Sequence, residues 1–259
     1  MLFLELTRRC NLKCTHCLRG TAQSKDMTEL TMWWAMRKLP EDYLGIGGGE
    51  PLMNDTHIKK LRNAIFQSDY IRDINELYMV TNGKGLARSE KLLKYLRENF
   101  TFLESFYLQV STDQYHDLDR RINYNIISDY FEYTDAVYVQ EHGPSREEFI
   151  VDMGRADRGK AVDVWQDDDM LYVDVDGYVW GSCDLSYTFM KKFRDRAICY
   201  GNVVTDTSES IYQNRKDLSE YLELIEDSLA LKENVGGITR QVMQDYLEEK
   251  TVDHLKQAM

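Results

Sequence analysis

The chain has 259 residues, of which 43% are hydrophobic and 12% aromatic, enough for one sizeable core with or without a small appendage. Its formal net charge of -12 opposes contact with a phosphate backbone, so we expect no binding to duplex nucleic acid. The sequence has no run of about 18 apolar residues and no signal-peptide pattern at its start, so we expect a soluble cytoplasmic protein without a membrane segment.

Short apolar runs alternate with amphipathic stretches over the first 150 residues, a pattern typical of the strand and helix units of a parallel sheet. The predicted strands are LFLELT (2–7), YLGIGG (43–48), ELYMVTNG (76–83), FYLQVST (106–112) and AVYVQEH (136–142). The predicted helices cover 28–39, a stretch from about residue 54 with Ile58, Leu61 and Ile65 on one face, about 89–99, and a stretch with Leu118, Ile122 and Ile126 on one face. A sixth strand is expected between about residues 149 and 165.

Parallel strands with right-handed helical crossovers curve toward a barrel. We therefore predict an α/β fold, with a partial (β/α)6 TIM-like barrel over residues 1–165 and a small α+β region over 166–259. In such folds the chemistry lies at the carboxyl ends of the strands. Four motifs follow the first four strands in order, namely the cysteine loop, GGGEPL, TNG and STDQYH, so we expect them at one mouth.

The C-terminal region has a different pattern. LYVDVDGYVWGSC, residues 171–183, predicts a hairpin of two strands around the turn DVDG. The stretch that begins with GNVVTDTSES leads into a helix rich in surface charge, and a last helix is predicted from about Ile238.

Three of the five cysteines, Cys10, Cys14 and Cys17, lie in one short loop after the first strand. An odd number of cysteines with such close spacing indicates metal or redox chemistry in a reducing compartment, not a disulfide framework. Three thiolates leave a [4Fe-4S] cluster one protein ligand short, so that one iron can bind a substrate or cofactor. A structural zinc site would need a fourth ligand, and His16 is the nominal candidate although it lies directly between Cys14 and Cys17.

The segments CNLKCTHC and GGGEPL resemble the two hallmark motifs of the radical S-adenosylmethionine (radical SAM) superfamily, and the resemblance extends over roughly residues 2 to 160. It implies one [4Fe-4S] cluster on Cys10, Cys14 and Cys17 whose open iron chelates the methionine part of SAM. An electron from the reduced cluster then cleaves SAM to a 5'-deoxyadenosyl radical. The resemblance places His16 beside the adenine, where relatives usually have an aromatic residue.

The glycine motif is also informative by itself. Gly47, Gly48 and Gly49 let the backbone approach a ligand closely, and Glu50 can accept hydrogen bonds from an ammonium group. The resemblance makes these four residues SAM contacts. The alternative is a tight turn between a strand and a helix.

Four more polar residues are candidate cofactor contacts. Ser111 and Asp113 resemble the residues with which relatives hold the ribose or methionine part of SAM, and both are also good helix caps. Asn82 either contacts the cofactor or shapes a turn. Arg155, in the segment MGRADR, resembles a late barrel arginine that pairs with a carboxylate, or it forms a surface salt bridge.

DVDGYVWGSCDLSY followed by YGNV resembles the twitch half of a SPASM extension, in which cysteines bind an auxiliary cluster. This chain has Asp206 where that pattern has a further cysteine, so only Cys183 and Cys199 remain, and we expect a twitch remnant without a cluster. Cys183 is either a small buried hydrophobe or a hydrogen-atom donor that quenches a substrate radical.

The resemblance implies an enzyme that abstracts hydrogen from a C–H bond, with peptide modification such as epimerisation or crosslinking as the first hypothesis. The first strand begins at residue 2, which leaves no room for an N-terminal peptide-recognition domain. This either counts against a peptide substrate or requires a separate recognition partner. A small metabolite, sugar or nucleoside is the alternative substrate, and a flavodoxin or ferredoxin-type reductant is implied. A hypothesis of another class is a non-catalytic iron-sulfur or zinc protein.

Overall fold

One open sheet organises the computed structural model, which describes residues 1–53, 55–111, 125–132, 137–142, 170–195 and 198–230. Its strands are β1 Leu2–Thr7, β2 Tyr43–Gly48, β3 Glu76–Thr81, β4 Ser105–Ser111, β5 Val137–His142, β6 Leu171–Val173, β7 Tyr178–Trp180 and β8 Cys199–Asn202. The α-helices are α1 Glu29–Lys38, α2 Asp55–Gln67, α3 Glu90–Asn99, α4 Asn125–Phe131, α5 Tyr187–Phe193 and α6 Ser208–Ala230. Short 3-10 turns lie at Tyr70–Arg72 and Leu86–Arg88.

The strand order is β5-β4-β3-β2-β1-β6-β7-β8. The first six strands in this order are parallel to their neighbours, whereas β7 and β8 run antiparallel. The predicted α/β class with a partial barrel is confirmed. Because β1 to β5 are parallel to one another, the loops at their carboxyl ends all lie on one edge of the sheet.

The central strand β1 is buried along its whole length. Neighbouring strands cover both of its edges, with β2 on one side and β6 on the other. Successive side chains alternate between the two faces of the sheet. Phe3 faces a cavity, so Glu5 and Thr7 share that face, while Leu2, Leu4 and Leu6 face the other way.

Local signals set the helix ends. Thr28 caps α1 by accepting a hydrogen bond from the Thr31 N–H at 3.0 Å, and Ser89 caps α3 in the same way. One predicted helix face is wrong: α4 begins at Asn125 and buries Ile127 and Phe131, whereas Ile126 is 43% exposed. Leu118 and Ile122 lie outside the described residues. Within the described ranges, no helix combines the length and the hydropathy needed to cross a bilayer.

The predicted C-terminal hairpin is present as β6 and β7. Its turn closes with a hydrogen bond from the Gly177 N–H to the Asp174 carbonyl at 2.9 Å, and Gly177 has a φ of +87°, which suits glycine. The hairpin extends the barrel sheet, since β6 pairs in parallel with β1. The sequence reading did not predict α5 and β8. The expected strand between residues 149 and 165 and the helix from Ile238 lie outside the described residues.

Candidate active site

A cavity of about 530 Å³ opens at the carboxyl ends of the parallel strands and extends along the inner face of the sheet. It collects residues from the cysteine loop, from the ends of β2, β3 and β4, and from the segment after β7. Its lining includes Met1, Phe3, Cys10, Leu12, Cys14, His16, Cys17, Arg19, Tyr43, Gly47, Gly48, Gly49, Tyr78, Val80, Thr81, Asn82, Ser111, Met170, Cys183 and Asp184.

The three loop cysteines share one wall of this cavity. The loop turns tightly: the Cys17 N–H donates to the Cys14 carbonyl at 3.3 Å, and the Leu12 N–H donates to Cys10 Sγ at 3.4 Å. Burial raises the pKa of the Cys10 thiol to about 11. In the described part of the chain, no three His, Cys, Asp or Glu side chains are close enough to hold a single metal ion. A four-iron cluster binds each cysteine at a separate iron, so the three thiols that line the cavity need not converge on a single ion.

The glycine loop after β2 runs so close to the cysteine loop that it has no room for side chains. A Cβ atom at Gly48 would lie 2.3 Å from the Thr7 carbonyl oxygen, and one at Gly49 would lie 2.2 Å from that of Arg9. The Gly49 N–H donates to the Thr7 carbonyl at 2.7 Å. Gly48 also has a φ of +125°, in the region that favours glycine. The loop therefore gives the cavity a wall of bare backbone beside the thiols, a surface that fits a closely approaching ligand.

Glu50 is fully buried and is not part of the cavity lining. Its carboxylate accepts hydrogen bonds from Thr81 Oγ1 at 2.7 Å and from the backbone N–H groups of Asn82 and Leu52 at 2.7 and 2.9 Å. Burial raises the pKa of Glu50, and these three hydrogen bonds oppose that shift. In this structure the carboxylate joins the loop after β2 to the end of β3. The ammonium contact predicted for Glu50 stays a prediction.

Three other predicted contact residues, His16, Asn82 and Ser111, do line the cavity. The side-chain amide of Asn82 donates to Asn11 Oδ1 at 2.8 Å, so it links the end of β3 to the cysteine loop. Asn82 Oδ1 accepts the Lys84 N–H at 3.0 Å, and the residue therefore also shapes the turn. The structure thus shows the turn-shaping role of Asn82, whereas its contact with the cofactor stays a prediction.

Two predicted contact residues, Asp113 and Arg155, lie outside the described residues. Sequence reasoning missed Tyr43 and Tyr78, which also line the cavity. Strand alternation could have found Tyr78, because it lies four residues before Asn82 and so shares its face of β3.

The two remaining cysteines have different surroundings. Cys183 lies in the segment after β7 and lines the cavity, whereas Cys199 is buried in β8 and is not part of its lining. Burial raises the pKa of the Cys183 thiol to about 11, and the neighbouring Asp184 adds to this shift. The Cys183 Sγ donates to Asp184 Oδ1 at 3.7 Å. Cys183 is therefore a protonated thiol at neutral pH and is exposed to the cavity.

A buried ion-pair network connects the start of the cysteine loop to the hairpin. Arg8 donates to Glu5 Oε2 at 3.0 Å and to Asp174 Oδ2 at 3.2 Å, and all three side chains are at most 4% exposed. Glu5 Oε2 also accepts the Val175 N–H at 3.1 Å. Burial and the nearby Glu5 raise the pKa of Asp174 to about 6, although Arg8 opposes this shift. The network fixes the hairpin against the strand that leads to Cys10.

Comparison with known sequences gives a local match. No known family profile matches the chain. Over 102 residues the chain is 30% identical to GTP 3',8-cyclases of Mycobacterium sp. strains KMS, JLS and MCS. The match covers 36% of this chain and 28% of each relative, so it spans little more than a quarter of the relatives' length.

Comparison with solved structures gives a match to the fold. The structure of anSMEcpe with bound AdoMet aligns with a TM-score of 0.56 at 15% identity, covering 83% of this chain and 81% of that one. The structure of anSMEcpe with bound AdoMet and the Cp18Cys peptide aligns with a TM-score of 0.55 over the same shares. The chain therefore shares its fold with the anSMEcpe structures and is similar to the GTP 3',8-cyclases over a local stretch of 102 residues.

Proposed function

We propose that this protein is a radical SAM enzyme that cleaves SAM reductively and abstracts a hydrogen atom from a C–H bond of a peptide. The observation that carries the proposal is the convergence in one cavity of Cys10, Cys14 and Cys17 with the bare backbone of residues 47–49. Thiols and exposed backbone are the groups that a cluster and an amino-acid cofactor require.

The position of each residue in the cavity suggests its role. The loop cysteines would hold one [4Fe-4S] cluster, and the glycine loop, His16, Asn82 and Ser111 would hold SAM. When bound and reduced, the cluster supplies the electron that cleaves SAM to a 5'-deoxyadenosyl radical. The protein orients the substrate C–H bond toward that radical and keeps water away from it.

A peptide substrate is supported by anSMEcpe, which shares the fold and is seen with the bound Cp18Cys peptide. The relatives called GTP 3',8-cyclases suggest a nucleotide instead. A triphosphate carries several negative charges, and Arg19 is the only Lys or Arg side chain that the described residues contribute to the cavity lining. A single cationic side chain in the described lining therefore favours a peptide substrate over a nucleoside triphosphate. A flavodoxin or ferredoxin-type reductant and a separate peptide-recognition partner complete the proposal.

The test is anaerobic reconstitution with iron and sulfide, followed by addition of dithionite and SAM. We expect about four irons per chain, as one cluster requires, and release of 5'-deoxyadenosine. About eight irons would assign a second cluster to the C-terminal region. Zinc, or iron without SAM cleavage, would instead indicate a structural or sensing metal site and would refute the enzyme proposal.

We further propose that Cys183 is a hydrogen-atom donor to the substrate radical, with the external reductant restoring the thiol. A donor must carry its proton, and the pKa of about 11 keeps it protonated. Alkylation of Cys183, followed by peptide mass spectrometry, should therefore remain slow at neutral pH and accelerate only as the pH approaches 11. A half-maximal rate near pH 8 would show a thiolate and exclude this role.

The Cys183→Ser variant separates the donor role from SAM cleavage. It should retain iron and release 5'-deoxyadenosine as the wild type does, because Cys183 is not one of the three loop cysteines. Cys199→Ala is the matched control, since that thiol is not part of the cavity lining. Loss of iron in Cys183→Ser would make this residue a cluster ligand instead.

A further inference from the structure

Arg19 is held rigidly at the wall of the cavity, two residues after the last loop cysteine. Its Nη1 donates to the Leu185 carbonyl at 2.8 Å, and its own carbonyl accepts the Tyr187 N–H at 3.1 Å. Its guanidinium carbon lies 4.7 Å from the centre of the Tyr172 ring. A side chain held by two contacts on a backbone held by a third loses little conformational freedom on binding a ligand. Arg19 is therefore preorganised.

Within the described part of the chain no carboxylate lies within ion-pair distance of Arg19, although the buried Glu5 interacts with its charge at longer range. Arg8, close by in sequence, shows the contrast, because it is paired with Glu5 and Asp174. Placing a charge away from bulk water without a partner is costly. A guanidinium that faces a cavity in this way matches an oxyanion ligand, and a carboxylate fits its planar fork best.

The position of Arg19 separates it from the proposed SAM contacts. The glycine loop, Asn82 and Ser111 lie at the carboxyl ends of β2, β3 and β4, and these strands are on one side of β1 in the sheet. The anchors of Arg19 are Tyr172 in β6 and the segment leading into α5, on the other side of β1. Cys183 follows β7, a strand on this second side, and it lines the cavity close enough to Arg19 to interact with its charge. The cavity thus has a cationic subsite apart from the glycine loop and on the side of the proposed donor.

We propose that Arg19 binds a carboxylate of the substrate, so that the peptide modified by this enzyme carries an Asp or Glu side chain near the reacting residue. This inference rests on the proposed function, because it assigns the substrate of the same cavity. A carboxylate on Arg19 would hold the peptide on the wall that carries Cys183. The tyrosine rings of Tyr43 and Tyr78 offer apolar faces to the rest of the peptide.

The test is calorimetric titration of the reconstituted enzyme in the presence of SAM, which keeps the SAM carboxylate in its own subsite. The probes are acetyl-Gly-Glu-Gly-amide, its Gln counterpart, acetate and inorganic phosphate at constant ionic strength. We expect the Glu peptide to bind more tightly than the Gln peptide. Arg19→Gln should reduce affinity for the Glu peptide by about tenfold or more, the effect expected of one charged hydrogen-bonded contact. Arg19→Lys should restore part of that loss.

Arg194→Gln is the matched control. That arginine also lies over a tyrosine ring, 4.9 Å from the centre of Tyr178, but it is near Asp176 and is not part of the cavity lining. It should bind the Glu peptide as the wild type does.

Several outcomes would overturn the inference. The inference is wrong if the Glu and Gln peptides bind equally well or if neither binds. It is also wrong if phosphate or acetate binds more tightly than the Glu peptide. A higher KM for SAM in Arg19→Gln would place Arg19 in the SAM subsite. Peptide binding is measured without turnover. A wild-type enzyme that failed to cleave SAM would therefore refute the proposed function, but the peptide affinities would still test the role of Arg19.

Discussion

Replacing Cys14 by alanine is expected to abolish 5'-deoxyadenosine release and to reduce bound iron to a small fraction of the wild-type content. Cys14 is the middle cysteine of the loop and is buried at the cavity wall. A cluster that already has only three protein ligands would keep two, which is too few to hold it. Iron and sulfide content and chromatographic measurement of 5'-deoxyadenosine, both after anaerobic reconstitution, check this result.

Cys199→Ala is the control for the loss of a thiol, because Cys199 is equally buried and lies in β8. It should reconstitute about four irons, as one cluster requires, and cleave SAM. If Cys14→Ala cleaved SAM at the wild-type rate, the loop would not carry the cluster. If Cys199→Ala lost about half of the iron, a second cluster in the C-terminal region would explain it.

Arg8→Met is the substitution expected to destabilise the fold most. It leaves Glu5 and Asp174 buried next to each other without the cation that joins them. Breaking a buried ion pair on one side typically costs about 3 to 5 kcal/mol. We expect a loss of that size in the free energy of unfolding, measured by urea denaturation with circular dichroism. Arg9→Met is the control: its side chain is 42% exposed and pairs with Asp26, so about 1 kcal/mol or less is expected.

The destabilisation by Arg8→Met should also depend on pH. Asp174 has a pKa of about 6 in the folded chain, above its ordinary value of 3.8. Its contribution to stability is therefore fully present below about pH 4 and is lost as the pH rises through about 6. Without Arg8 the carboxyl takes up its proton still more readily. The difference between variant and wild type should thus be smaller at pH 5 than at pH 7, and a constant difference would show that lost packing, not charge, is responsible.

The strands and most helices of the barrel could be predicted because their signals are local. The bounds of β1 and β2 match the prediction, and Thr28 and Ser89 cap the helices where polar residues precede apolar periodicity. The error at Ile126 has a physical cause. The prediction placed Ile126 on the buried face, whereas the packing of helix Asn125–Phe131 turns Ile127 and Phe131 inward and leaves Ile126 exposed.

The candidate site was predictable as far as strand ends determine it. Loops that follow parallel strands must share one edge, and the structure brings the cysteines, the glycine loop, Asn82 and Ser111 to one cavity. The contacts that a side chain in such a loop makes were not predictable from the sequence. Glu50 was expected to face a ligand, but its carboxylate accepts hydrogen bonds from Thr81, Asn82 and Leu52. Which neighbours satisfy a buried carboxylate depends on the packing of two loops, which local sequence does not encode.

The sequence by itself determined the α/β pattern, the cluster of thiols and the edge of the sheet where chemistry would occur, because strand and helix periods and loop order are short-range properties. Only the tertiary structure decided that β6 pairs with β1 and brings Cys183 and the anchors of Arg19 to the cavity. These contacts join residues that are far apart in the chain, from 153 positions between Arg19 and Tyr172 to 169 between Leu2 and Leu171. Their formation depends on strand register and on the burial of Arg8 with its two carboxylates, and both are fixed only when the whole sheet is assembled.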